Sequence, residues 1–88
     1  MRVVFKLFAD LSKYLPPADG DTAPSMHERE LVVPDDATPT WLIERHGVPP
    51  EKAHLVLVNG VYIAPEARAA KRLEEGDEVA VFPPVAGG

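Results

Sequence analysis

The chain opens on a β-branched and aromatic run, Arg2-Val3-Val4-Phe5-Lys6-Leu7-Phe8, which predicts a strand over residues 2–8. Side chains alternate across a strand, so Val3, Phe5 and Leu7 share one face while Val4, Lys6 and Phe8 share the other. Lys6 marks that second face as the wet one. Leu11, Tyr14 and Leu15 recur at i, i+3 and i+4, the spacing of one or two helical turns, and Pro16-Pro17 end them. Residues 16–25 are rich in Pro, Asp, Gly and Ser and read as a mobile loop. Glu28 to Val33 predicts a second strand, closed by Pro34, and the charges at 28 to 30 suggest either an edge or a strand with one solvated side.

Thr38-Pro39 has the form of a helix start, with Thr38 as cap and Pro39 at the first helical position. The helix reaches about His46, and Gly47 supplies its left-handed stop. Leu42, Ile43 and His46 share a stripe. Leu55-Val56-Leu57-Val58 is a continuous apolar strand. Asn59-Gly60 then joins it to Val61-Tyr62-Ile63, because a type I′ hairpin turn requires positive φ at both central residues. Pro65 to Leu73 is a connector with helical leaning. Glu75-Gly76-Asp77 turns the chain into a last strand, Glu78 to Phe82, which Pro83-Pro84 ends. The order is strand, strand, helix, strand, short strand, strand. It predicts an α+β fold in two layers, a mixed sheet with one main helix on one face. The crossover from the second strand through the helix to the third must be right-handed if those strands are parallel.

The 88 residues make one domain, too small for a deep enzyme cleft with its supporting shell. Apolar residues at 45% and charged residues at 26% exclude a wholly disordered chain. The net charge of −5 has the wrong sign for a nucleic-acid partner; it favours basic protein partners, and solubility alone would also explain it. The chain has no cysteine, which excludes disulfides, zinc–thiolate sites and a cysteine nucleophile. Lys6 interrupts the apolar run a signal peptide needs, and no stretch approaches the roughly 20 apolar residues of a membrane span. A soluble, cytoplasmic protein with no membrane partner is expected. His27, His46 and His54 lack metal-ligand spacing, so no metal is expected either. Ser25 and His27 have no third group to orient them as a catalytic pair.

The end of the sequence is its most informative part. Pro83-Pro84 is stiff and extended and projects the last residues away from the body. Gly87-Gly88 has no side chains and could thread a channel too narrow for any other dipeptide. The expected organisation is a domain over residues 1–84 and an extended tail over 85–88. Glycine-rich ends are also common without any function. Here the run Gly76-Asp77-Glu78-Val79-Ala80-Val81-Phe82-Pro83-Pro84-Val85-Ala86-Gly87-Gly88 resembles the ubiquitin-like sulfur carriers of the MoaD/ThiS family, most of all its molybdopterin synthase small-subunit branch. Val58-Asn59-Gly60 and the opening Val3 to Ala9 also fit, whereas residues 16–30 fit weakly and His46 stands where the family usually has leucine.

The resemblance implies a β-grasp (ubiquitin-like) fold and a defined chemistry. Gly88, presented with Gly87, would be adenylated with ATP by a ubiquitin-activating-type adenylyltransferase. A persulfide sulfur donor would then convert it to a thiocarboxylate, and the molybdopterin synthase large subunit would use the sulfur. The chain would bind no cofactor itself, ATP being consumed by the activating enzyme, and would catalyse nothing alone. Sulfur delivery to thiamine, tRNA or cysteine synthesis, isopeptide conjugation to target lysines, and a binding-only module with an idle tail are the competing readings. Partner contacts are expected at Phe8, Tyr62 and Phe82 on the helix-free face, and along Pro83, Pro84, Val85 and Ala86. Phe8 and Phe82 have the alternative of lining the rim of the core. Glu74, Glu75, Asp77 and Glu78 are candidates to meet basic residues of a partner.

Overall fold

The computed structural model describes residues 1–17 and 26–84. Five strands form one sheet: β1 (Arg2–Leu7), β2 (Glu28–Val32), β3 (Leu55–Val58), β4 (Val61–Tyr62) and β5 (Glu78–Phe82). Their spatial order is β2-β1-β5-β3-β4. The first and last strands lie side by side in parallel, and every other pairing is antiparallel. It follows that β2 and β3 point the same way with two strands between them. The charged strand β2 takes an edge, where its outer backbone groups meet water.

Alternation decides which face is covered. Val3, Phe5 and Leu7 of β1, Val56 and Val58 of β3, and Val79 and Val81 of β5 point one way, and none is more than 4% exposed. Helix α1 (Pro39–Arg45) adds Leu42 and Ile43 to the same core. Thr38 caps the helix, its Oγ1 accepting from the Trp41 N–H at 3.0 Å, and Gly47 stops it at φ +74°. His46 closes the last turn. Its Nδ1 lies 2.8 Å from the Leu42 carbonyl, which only accepts, so Nδ1 carries the proton. The ring packs 5.1 Å from that of Phe5.

Asn59 and Gly60 adopt φ of +51° and +82°, as a type I′ hairpin requires. Asn59 does more than turn the chain. Its Nδ2 donates to Asp77 Oδ1 at 2.8 Å, and its Oδ1 accepts from the Glu78 N–H at 2.9 Å. The hairpin is thereby fastened to the start of β5.

The helical spacing of Leu11, Tyr14 and Leu15 resolves as a 3-10 segment, Ala9–Tyr14, with Leu11 buried in the core. The Pro65 to Leu73 connector is helical only at Pro65–Ala67. Its two inward residues, Arg68 and Leu73, are five apart, about 140° round a helix, so no single helical face could bury both. A short 3-10 turn at Pro50–Lys52 has no counterpart in the pattern of the sequence. The two-layer α+β arrangement, a mixed five-stranded sheet grasping one main helix, is the β-grasp fold.

Candidate docking site at the end of the last strand

The strand register lays out the helix-free face row by row. Where β5 ends, Phe82 opposes Leu55 of β3. Phe8 lies one residue beyond β1 and extends the ladder, its N–H donating to the Val81 carbonyl at 3.1 Å. The Phe8 and Phe82 rings stack with centroids 4.4 Å apart and planes within 2°. His27 stacks on the other side of Phe8 at 5.6 Å, and its Nδ1 meets the Leu7 carbonyl at 3.2 Å. Aromatic pairs of this kind contribute about 0.5–1.5 kcal/mol beyond their buried area. Neither phenylalanine belongs to the core cluster or packs against it. The two rings are half-buried by one another and by His27.

The next row across the sheet is Lys6, Ala80, Leu57 and Tyr62, followed by Glu30, Val4 and Glu78. Ion pairs occupy this region: Lys6 with Glu78 at 3.4 Å and Arg2 with Glu30 at 2.8 Å. The face therefore grades from apolar at the Phe82 end to charged at the Glu78 end.

At the apolar end lies a groove of about 810 Å³. Phe8, Ala9, Leu55, Phe82, Pro83 and Pro84 supply its apolar lining. Asp10, Glu51, Lys52 and His54 complete it, with Lys52 and Asp10 4.0 Å apart. Ala9 has φ +54°, a left-handed conformation unusual for a residue with a Cβ. This kink takes the chain out of β1 while leaving Phe8 on the sheet face.

Of the residues singled out from the sequence, Phe8, Phe82, Pro83 and Pro84 come together on this groove. Tyr62 does not line it. It is 53% exposed on the same face, but it opposes Leu57, one row back and on the neighbouring strand. Val85, Ala86, Gly87 and Gly88 lie outside the described residues, as do positions 18–25 of the loop. The acidic residues near the tail in sequence lie elsewhere in space. Glu78 starts β5 and Glu74 to Asp77 precede it, so all sit toward the opposite end from Phe82, roughly 13 Å away along the strand. Asp77 is 7% exposed and uses both oxygens internally, accepting from Asn59 Nδ2 and, at 2.8 Å, from the Glu74 N–H. Glu75 accepts the Arg2 N–H at 3.1 and 3.2 Å. Glu75 and Asp77 brace the far end of the sheet, and none of the four borders the groove.

Sequence reasoning missed Ala9, His27, His54 and Leu55. Alternation around the buried Val56 and Val58 carried a signal for Leu55. For His27 there was none, since its neighbour Phe8 is nineteen residues away in sequence and the two meet only through the β1–β2 pairing. Among the described residues no group of three His, Asp or Glu side chains could hold a metal, and no helix is long and apolar enough to cross a membrane.

A β-grasp domain whose central strand ends on an apolar groove and passes into a proline-led segment is the ubiquitin-like class of protein. The model of the ThiS family matches residues 15–88, and the chain belongs to that family. It is similar over its whole length to SAMP1 from Haloferax volcanii, whose crystal structure superposes with a TM-score of 0.64 at 28% identity, 100% of each chain being covered. No curated protein matches the sequence significantly.

Proposed function

We propose that the protein is a sulfur carrier whose terminal Gly88 is activated as an acyl-adenylate and converted to a thiocarboxylate for use in molybdopterin synthesis. The observation that carries this reading is the family match running through residue 88, over the segment Phe82-Pro83-Pro84-Val85-Ala86-Gly87-Gly88. A carboxylate at neutral pH is a poor electrophile because attack must expel oxide. Adenylation with ATP releases pyrophosphate and supplies a good leaving group, so one difficult step becomes two easier ones. The terminal sulfur of a persulfide then attacks the carbonyl, AMP leaves, and a second thiol cleaves the resulting acyl disulfide. Gly88 is left as –COSH. The chain contributes the acyl group and the grip for its partners, while the adenylyltransferase contributes the catalysis.

Phe8, Phe82, Pro83 and Pro84 serve this role by giving partners an apolar hold at the end of the last strand. Ala86 and Gly87 complete the lead to the reacting carbon. The test is intact-mass analysis after incubation with ATP, an adenylyltransferase of the ubiquitin-activating type and a persulfide donor. The expected product gains the mass difference of sulfur for oxygen, localised to Gly88, and Gly88→Ala slows its formation without changing thermal stability. Absence of any gain rejects the reading. High-mass conjugates that survive reduction and vanish on deletion of Gly88 would instead assign isopeptide modification.

A further inference from the structure

Arg68 is 7% exposed, a burial that arginine tolerates only when its charge is satisfied. None of the ion pairs among the described residues includes it. Its planar fork meets three backbone carbonyls instead. Nε donates to Ile63 at 3.0 Å, Nη1 to Ala53 at 2.9 Å and Nη2 to His54 at 3.0 Å. Its own carbonyl accepts the Thr40 N–H at 3.2 Å. The side chain thus joins the end of β4 to the lead into β3, and the main chain of the same residue meets the first turn of α1.

The Ala53 carbonyl and the His54 N–H belong to the same peptide group, and that group lies between Arg68 and the last strand. Arg68 donates to its oxygen, and its N–H donates to the Phe82 carbonyl at 3.1 Å. A cation bonded to an amide oxygen draws density from the nitrogen and strengthens the N–H as a donor. Pro83 and Pro84 have no N–H, so beyond Phe82 they cannot donate to the β3–β5 ladder. The bond from His54 to Phe82 therefore holds β5 where the chain leaves the sheet. Nη2 fixes the following peptide as well, the one that sets Leu55 against Phe82 in the groove.

We propose that Arg68 is a positioning residue for the end of the last strand: acting through the Ala53–His54 peptide, it holds the Phe82 carbonyl and so sets the point at which Pro83 and Pro84 leave the sheet for presentation to a partner. Delivery to a partner rests on the sulfur-carrier reading; the hydrogen-bond relay does not. A lysine cannot replace the fork, because one ammonium cannot reach three carbonyls in the same planar arrangement.

The test compares the full chain with Arg68→Lys and Arg68→Met. In wild type, a through-hydrogen-bond scalar coupling between the His54 nitrogen and the Phe82 carbonyl carbon is expected. In Arg68→Lys this coupling weakens, and the His54 amide exchanges with solvent about tenfold faster than the change at the Val56 and Val79 amides accounts for. With an adenylyltransferase that activates the wild-type chain, the variant shows a raised KM for the carrier at an unchanged kcat. Absence of the coupling in wild type, or His54 exchange that merely follows Val56, overturns the proposal. If Arg68→Met does not fold, Arg68→Lys and the wild-type coupling still decide it. Failure of the sulfur-carrier reading shows separately, as wild-type protein that is not adenylated.

Discussion

The two faces of this sheet are made from alternate residues of the same strands, and they are put to opposite uses. On the covered face, Val3, Phe5, Leu7, Val56, Val79 and their neighbours close over Leu42 and Ile43 with almost no exposure. On the open face, Val4, Lys6, Ala80 and Phe82 are only half-buried, and Tyr62 is more exposed still. Burial of the first set removes apolar surface from water at about 25 cal/mol per Å² and holds the fold together. The second set leaves apolar surface for a partner at one end and ion pairs at the other.

Substitutions on the two faces should therefore separate stability from recognition. Phe5→Ala opens a cavity at the centre of the covered face and should cost about 3–5 kcal/mol in chemical denaturation. Phe82→Ser should lower stability by only about 1–2 kcal/mol, the value of half a buried ring and its stack on Phe8, while weakening partner affinity by at least about 2 kcal/mol in calorimetric titration. A stability loss equal to that of Phe5→Ala would show that the two faces are not distinct in this way. Ala9→Gly releases the left-handed strain at φ +54° and should raise stability by up to about 1 kcal/mol. If partner affinity falls in the same variant, its methyl is a docking contact; if affinity is unchanged, Ala9 only shapes the backbone. The smallest effect is expected from Lys6→Gln, which removes one partly exposed ion pair with Glu78 and should shift the unfolding free energy by no more than about 1 kcal/mol, less in high salt.

Legibility followed the range of the interactions involved. The cap at Thr38, the stop at Gly47 and the Asn59-Gly60 turn depend on a few adjacent residues, and each is found where the sequence placed it. The division of β1 into a buried and a half-exposed face was likewise readable, because a period of two is a property of the strand itself. Tyr62 shows where this reasoning stops. It was a candidate for the helix-free face as a residue just past the hairpin, but its distance from Phe82 depended on the β3–β4 and β3–β5 registers. The acidic run at 74–78 was near the tail in sequence and lies at the other end of the strand in space. Arg68 looked like one charge among several in a polar connector.

Local chemistry and periodicity thus determined the strands, the main helix and their faces, while the short 3-10 turns escaped them. Sheet order was decided only by folding, since placing the first strand beside the last is a long-range pairing that no local pattern encodes. That pairing brings Phe8 onto Phe82, and the neighbouring β1–β2 pairing adds His27. The same limit applies to Arg68, because a guanidinium finds three carbonyls only after the segments carrying them have met.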